Sequence, residues 1–454
     1  MRLRYALVGV VAVGVLAACG GGGDSGDGGG GEKGDDGGAE TSGGTSAGGD
    51  GKGGGDGGDT PADDDALGLP TTQLSVPPVY DTARGWEREI DGSVVTLPRA
   101  GAVGLFNTET GRGVLTVFDI ATGERLWRTA PVEPVNPDAE LQVLAPTVDG
   151  TDYVAFWSSG TAGAELIDRG EETVVIDIFA AGEAGDELAP LHHVEVPGAG
   201  EVTDGGSALM VELDESVVAV DLASGELATT EADSIAAPAD CPEDACDDWF
   251  YPAVAGITAA GPLISEDSGY EGFFVPDAWT SYGVAPENVL AEGARAFRHQ
   301  DGLIAARWEG KEDEGDETWA ILRDDTGETV ASATCPADGM TADDEEWRMS
   351  ATGRYLVYGY LAFDLEEGTG HCFAPTDRTN PVLFGAVDDT GHAYGTATVE
   401  SDSGYEYVPV RLDIATGEVE ETTGDVLPFL DVEGYGVFPD DQSGMLVVYA
   451  PAGE

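Results

Sequence analysis

Basic residues are scarce in this chain. Its 454 residues hold 20 lysines and arginines against 87 aspartates and glutamates, which gives a formal net charge of −67. A surface of that sign repels nucleic acid and anionic lipid, both of which bind proteins through clustered positive charge. We therefore expect no nucleic-acid partner, and we interpret the charge as serving solubility or tolerance of salt outside the cell.

Sequence signatures of catalysis are also missing. The chain has no P-loop and no His-Glu-x-x-His motif, and its one Gly-x-Ser-x-Gly pattern, at 44–48, lies in a glycine tract that offers no strand-to-helix turn. His192 and His193 are adjacent, so on a strand they point to opposite faces and are poorly placed to share a metal. The acidic runs 312–317 and 343–346 lack the spacing of a calcium loop. We predict no catalytic residues, no resident cofactor and no metal site.

Cysteines are few, and their number is informative. Apart from Cys19 there are four, and an even set in an exported protein is typical of two disulfides, with three pairings possible. The simplest pairing closes a short loop from Cys241 to Cys246 and leaves Cys335 and Cys372 to join neighbouring repeat units. Zinc is the alternative, but the first pair has no second pair nearby.

The amino-terminal segment carries an export signal. Arg2 and Arg4 precede an apolar stretch over 5–16, which is shorter than the about 20 residues that a membrane span needs. The residues Leu16-Ala17-Ala18-Cys19 that follow resemble a bacterial lipobox. The resemblance implies a signal peptide over 1–18, cleavage before Cys19, and lipid on that cysteine. The protein is then expected at the cell membrane, lipid-anchored on its extracytoplasmic face.

A composition change separates a tether from a folded domain. Residues 19–66 comprise Cys19 and a tract rich in Gly and Asp with almost no large apolar residues. Such a segment cannot bury enough surface to offset the entropy of ordering, so we predict a disordered tether. Residues 67–454 are predicted to form the folded domain, which we expect to be monomeric.

A strand, turn and strand pattern recurs through that domain. Its first copy runs from Leu115 to Trp127, and the turn places an aspartate before Thr-Gly, residue types that cap and close a hairpin. The turn aspartates are 119, 177, 221, 325, 364 and 413, which lie 39 to 58 residues apart except for one gap of 104 that has room for a unit near 277. Strands repeated at this period, without helical stripes, are typical of β-propeller blades.

The chain ends complete the predicted ring. Gly434–Phe438 and Met445–Ala450 have the composition of two further strands, and Trp86–Ile90 supplies another from the start of the domain. Pairing of the two chain ends would remove exposed sheet edges. We predict an all-β propeller of eight blades closed by its N- and C-terminal strands, or seven if the unit near 277 is an insertion.

The copy over Val117 to Trp127 resembles the repeat of quinoprotein-like (PQQ-like) β-propellers. The resemblance extends over about residues 85–450 and implies the propeller fold. It would also imply a quinone site, usually with adjacent cysteines, which this chain lacks.

Function is predicted from the anchor and the missing catalytic set. We expect a lipid-anchored module that binds an envelope protein or ligand without catalysis. A PQQ- or Ca²⁺-dependent oxidoreductase and an extracytoplasmic sensor are the alternatives. The aromatic residues Trp249, Phe250 and Tyr251, beside Cys241 and Cys246, are the candidate partner contact, since aromatic side chains dominate binding hot spots.

Overall fold

The structure is a computed structural model that describes residues 69–453, except for 110, 164–169, 184, 239–251, 267–271, 312–315, 337–346, 402–403 and 441. The described residues are almost entirely strands and turns, with two short 3₁₀ helices at Pro98–Ala100 and Ala232–Ser234. The all-β prediction is confirmed. The predicted signal peptide, Cys19 and tether lie outside the described residues.

The first half of the domain forms four sheets in chain order, together with the first strand of a fifth. Their strands are β1 Tyr80–Glu89; β2 Ser93–Leu97, β3 Ala102–Glu109, β4 Arg112–Asp119 and β5 Arg125–Arg128; β6 Gln142–Leu144, β7 Thr147–Val148, β8 Thr151–Ala162, β9 Glu171–Ala180 and β10 His192–Pro197; β11 Glu201–Asp204, β12 Leu209–Glu212, β13 Ser216–Val220 and β14 Leu227–Glu231; β15 Pro252–Thr258, β16 Gly261–Glu266, β17 Phe273–Val275 and β18 Trp279–Thr280.

The second half continues the pattern. Its strands are β19 Arg295–Gln300, β20 Leu303–Glu309, β21 Glu317–Arg323 and β22 Thr329–Cys335; β23 Trp347–Met349, β24 Tyr355–Tyr358, β25 Leu361–Asp364 and β26 Thr369–Cys372; β27 Val382–Val387, β28 His392–Ser401, β29 Gly404–Asp413 and β30 Glu418–Glu421; β31 Leu430–Val432, β32 Tyr435–Asp440 and β33 Met445–Pro451.

The sheets are built from antiparallel meanders in which successive strands are neighbours, except that β6 and β7 both pair with β8. The one larger sheet, of eight strands, consists of the meanders β19–β22 and β23–β26 joined through a parallel pairing of Ser332 with Thr369. The sheet of β31, β32 and β33 takes β1 as its fourth strand, so the first strand of the domain pairs with the last.

The sheets pack face to face in chain order. Period-two alternation buries both faces of a strand: Ile304, Ala306 and Trp308 on β20 pack toward the β15–β18 sheet, and Ala305 packs toward β23–β26. A further cluster joins Trp86 and Val448 of the last sheet to side chains of β3 and β4. Consecutive four-stranded meanders stacked on one another in this way form a β-propeller.

Candidate functional site

One end of the sheets gathers two turns from each meander, except the last, where the fourth strand is β1 and only the turn between β31 and β32 lies at that end. In an antiparallel meander, the turn between the first and second strands and the turn between the third and fourth lie at the same end. We call this end the turn face. It holds the repeated turns that the sequence predicts.

The aspartate of the repeat caps its own turn. Asp119 Oδ1 accepts hydrogen bonds from the Thr122 backbone N–H and hydroxyl, both at 2.8 Å, while the Gly123 N–H donates to the Asp119 carbonyl at 2.7 Å with φ of 70°. Asp221, Asp364 and Asp413 act in the same way. Positive φ explains why glycine closes each copy.

Two predicted copies are wrong in detail. Asp177 lies in the middle of β9 and not in a turn, and its carboxylate contacts His193. In the unit around 325 the capping position is held by Arg323, whose carbonyl accepts the Gly327 N–H at 2.8 Å. The composition of the turn therefore predicts the capping aspartate less reliably than the number of sequence positions between the aspartate and the glycine.

Side-chain N–H groups tie several of the sheets to the next one. Trp86 Nε1 donates to the Ile120 carbonyl at 2.8 Å, Trp127 Nε1 to Ala181 at 3.1 Å, and Trp279 Nε1 to Asp324 at 2.9 Å. His192 Nε2 bonds the Ala223 carbonyl at 2.8 Å in the same manner. These three tryptophans are buried, as expected for packing between sheets.

The centre of the turn face is bridged by a salt bridge between distant parts of the chain. Arg99, in the turn from β2 to β3, lies 2.6 Å from Asp301, in the turn from β19 to β20, and its side chain is only 16% exposed. Arg99 also donates to the Ala351 carbonyl at 2.8 Å, and the Gly150 N–H donates to Asp301 Oδ1 at 3.0 Å. The guanidinium lies against Gly353, where an added Cβ would come within 2.3 Å of it.

A second buried group adjoins this bridge. Asp324 accepts from the Ser207 hydroxyl at 2.5 Å and pairs with His299 Nε2 at 3.0 Å. Burial raises the pKa of Asp324, but the hydrogen bonds from His299 and Ser207 outweigh burial and hold that pKa below its usual value. Because serine and histidine both bind the carboxylate and not each other, the group lacks the order of a nucleophilic triad.

A cleft of about 530 Å³ opens above these groups. Its charged lining comes both from turns between first and second strands and from turns between third and fourth strands. Among these side chains, Arg323 is exposed and forms no ion pair with a described residue. Arg354 is paired, at 2.8 Å from both Asp364 and Glu366. The lining residues are Arg99, Asp149, Ala259, Asp301, Gly302, Leu303, Arg323, Asp324, Asp325, Val330, Met349, Thr352, Gly353, Arg354, Leu365 and Glu366.

The chemistry of the cleft suits a ligand that carries charge. Guanidinium groups bind carboxylate or phosphate, and the surrounding carboxylates attract cations. No aromatic side chain is among the lining residues, so they do not provide the flat floor expected under a quinone. Within the described part of the chain, no group of three or more His, Cys, Asp or Glu side chains is arranged to hold a metal ion.

Two buried carboxylates lie near one another beside the last sheet. Asp431, 2% exposed, accepts from the Tyr80 hydroxyl at 2.7 Å. Burial, with the charge of Asp388, raises the pKa of Asp431 to about 7 despite that hydrogen bond. Asp388 itself pairs with His392 at 3.5 Å. Asp431 therefore holds a proton in the folded protein under conditions in which the unfolded chain has lost it.

We predict that Asp431→Asn removes part of the pH dependence of stability. A raised carboxyl pKa stabilises the fold fully below about pH 4 and loses that contribution as the pH rises through about 7. The variant should therefore gain on the order of 2 kcal/mol over the wild type between pH 4 and pH 8 in urea unfolding. Asp233→Asn, which removes one exposed charge, is the control. Parallel pH profiles for wild type and Asp431→Asn would refute the assignment.

The predicted site residues have different outcomes. Cys335 and Cys372 form a disulfide, as predicted, with Cα atoms 5.5 Å apart. Cys19, Cys241, Cys246 and the aromatic group Trp249, Phe250 and Tyr251 lie outside the described residues. His192 and His193 are each hydrogen-bonded, to Ala223 and Asp177, on opposite faces of β10.

Comparisons with known proteins give only distant likeness. No protein family matches the chain, and no curated protein does. Among solved structures, the C-terminal WD40 domain of Sif2 has a TM-score of 0.42 at 9% identity, covering 84% of this chain and 100% of that one. An uncharacterised protein of Listeria monocytogenes has a TM-score of 0.33 at 9% identity, covering 83% and 91%. The exotype rhamnogalacturonan lyase YesX has a TM-score of 0.33 at 13% identity, covering 83% and 76%.

These similarities are too distant to assign an activity.

Within the described residues, no helix is long and apolar enough to cross a membrane.

Proposed function

We propose that this protein is a lipid-anchored, extracytoplasmic β-propeller that binds a charged ligand or envelope partner at the turn face without catalysis. The observation that carries the proposal is the cleft around Arg323. Its walls are turns held in place by buried ion pairs and hydrogen bonds, and it presents, amid carboxylates, a guanidinium that forms no ion pair with any described residue. A rigid, charged cleft of this kind supports recognition because little ordering entropy is lost on binding.

The propeller in this proposal has eight blades in a closed ring. Six separate sheets and the two meanders of the eight-stranded sheet supply the blades. The pairing of β1 with β33, from Tyr80 opposite Pro451 to Glu89 opposite Met445, supports closure by the two chain ends. A cluster that joins Trp86 to Val103 and Phe118 supports contact between the last blade and the first.

The anchor and the binding role are tested separately. If Cys19 carries lipid, Cys19→Ser should move the protein from the membrane fraction to the soluble fraction of lysed cells. An unchanged membrane fraction would refute the anchor.

For the cleft, chemical crosslinking on intact cells should capture species from the wild type that are lost with Arg323→Ala. Arg378→Ala, which changes an exposed arginine outside the cleft, should leave the capture unchanged. If wild type and Arg323→Ala capture the same species in the same amounts, the cleft is not the binding site.

A further inference from the structure

A hairpin projects from the opposite end of one sheet. The ladder of β28 and β29 runs without interruption from His392 opposite Asp413 to Ser401 opposite Gly404. The neighbouring strands are shorter. The pairing of β27 with β28 ends at Ala397, and the pairing of β30 with β29 ends at Val410. About four residue pairs, roughly 13 Å of hairpin, therefore extend past both neighbours.

The projecting part exposes two tyrosines on one face. Tyr405 is 72% exposed and Tyr407 is 59% exposed, so no described residue covers their rings. They are two positions apart on β29 and share a face, and Glu400 lies directly opposite Tyr405 on that face. This makes an aromatic surface with a carboxylate beside it, which we call the tyrosine face.

The same segment leaves a strand edge unpaired. The Thr422 N–H donates to the Pro409 carbonyl at 3.0 Å, which is the last contact of the chain that follows β30 with β29. Backbone groups alternate in direction along a strand, so the N–H and C=O of Tyr405 and Tyr407 point to the same outer side as the Pro409 carbonyl. No described strand lies there. Such an edge is a template for an added strand.

The chain itself shows what covers such a hairpin elsewhere. β8 and β9 also extend past their neighbours, but there the Val135 N–H donates to Ser158 Oγ at 2.8 Å and Asn136 Nδ2 donates to the Thr161 carbonyl at 3.2 Å. A segment that turns at 136–139 thus lies against β8 of that hairpin. Those contacts fall on the second strand of the meander, whereas the exposed Tyr405 and Tyr407 lie on β29, the third strand of theirs.

We propose that the β28–β29 hairpin binds an extended, positively charged segment of a partner protein, which adds as a strand beside Tyr405 and Tyr407. Lysine or arginine at alternate positions of that segment would lie over the tyrosine rings and next to Glu400, because a cation is attracted to an aromatic face and to a carboxylate. The net charge of −67 favours a cationic partner. The inference goes beyond the turn-face site, since it concerns the other end of the sheets.

The test uses the full chain and a labelled nine-residue peptide of alternating lysine and threonine, followed by fluorescence anisotropy in 150 mM NaCl to screen weak surface attraction. The double variant Tyr405→Ala/Tyr407→Ala should bind at least tenfold more weakly. Tyr405→Phe/Tyr407→Phe should stay within about threefold of wild type, since phenylalanine keeps the ring face. Glu418→Gln, an exposed carboxylate at the other end of β30, is the charge control and should have no effect.

Strand addition is tested with a second peptide in which proline replaces every threonine. It has the same charge but disfavours a paired strand, so its binding should be at least tenfold weaker. Equal binding of both peptides, no binding of the first to wild type, or wild-type binding by the double alanine variant would each overturn the proposal. If Arg323→Ala still alters capture on cells, the proposed turn-face function survives that failure.

Discussion

Arg99→Ala lowers the free energy of unfolding by about 3 kcal/mol in urea. The substitution leaves the Asp301 carboxylate, 9% exposed, without its counter-charge, and breaking a buried pair costs more than the net worth of the pair. Arg99 also holds the Ala351 carbonyl, so the loss extends to the turn before β24. These contacts join residues more than 200 positions apart, and their loss should loosen the centre of the turn face.

Two further variants distinguish the loss of the Arg99–Asp301 ion pair from a general effect of removing charge. Arg112→Ala removes an exposed arginine paired with Glu133 and should cost no more than about 0.5 kcal/mol. Asp301 has φ of 50°, so asparagine is the replacement that tolerates its left-handed backbone. Arg99→Met/Asp301→Asn should then lose less than the sum of its single variants. Additive losses would show that the two side chains do not stabilise each other.

The repeat could be predicted because its signal is local. Asp119, Thr122 and Gly123 satisfy each other within one turn, so their order along the chain is enough to identify it. The spacing of these turns and the strand pattern at both chain ends then predict the propeller. The pairing of Cys335 with Cys372 was predicted by assigning the short loop from Cys241 to Cys246, which leaves these two to join neighbouring units, and the disulfide and the β22–β26 pairing confirm that junction.

The turn-face cluster could not be predicted because its signal is not local. Arg99, Asp301 and Asp324 are ordinary loop residues in sequence, and only the packing of the folded sheets brings them together. Asp177 was misplaced for a related reason: its Asp and Gly are five positions apart instead of four, and His193, across the sheet, uses the carboxylate. The role of such an aspartate depends on its partner on another strand, and a single sequence does not reveal that partner.

Part of the acidic composition has a structural explanation. Asp152 accepts from the Ala100 N–H at 3.0 Å, Asp389 from the Thr352 N–H at 2.7 Å, and Asp301 from Gly150. In each case the donor belongs to a different meander from the carboxylate. These aspartates hold different meanders together at the turn face, so their charge cannot be attributed to solubility alone. Exposed acids such as Glu400 have no such bond between meanders among the described contacts, and Glu400 belongs to the proposed tyrosine-face site.

Removing the Cys335–Cys372 disulfide should cost about 3 kcal/mol. The bond closes a loop with a sequence separation of 37 residues, for which the chain-entropy account gives 3–4 kcal/mol. It joins the outer strands β22 and β26, whose direct pairing is the single parallel register of Ser332 with Thr369. Cys335→Ala/Cys372→Ala should therefore lower the urea midpoint, and hydrogen exchange should increase at β22 and β26 before other strands.

The matched control is Cys241→Ala/Cys246→Ala, which leaves the Cys335–Cys372 disulfide in place. This control should remain sensitive to reductant, whereas the Cys335→Ala/Cys372→Ala variant should lose most of that sensitivity. An unchanged urea midpoint in the latter variant would mean that packing between the two meanders, through Trp347, Leu356 and Phe363 among others, already fixes the two strands. In that outcome the bond adds no constraint beyond the hydrophobic core, and the entropic account fails for this disulfide.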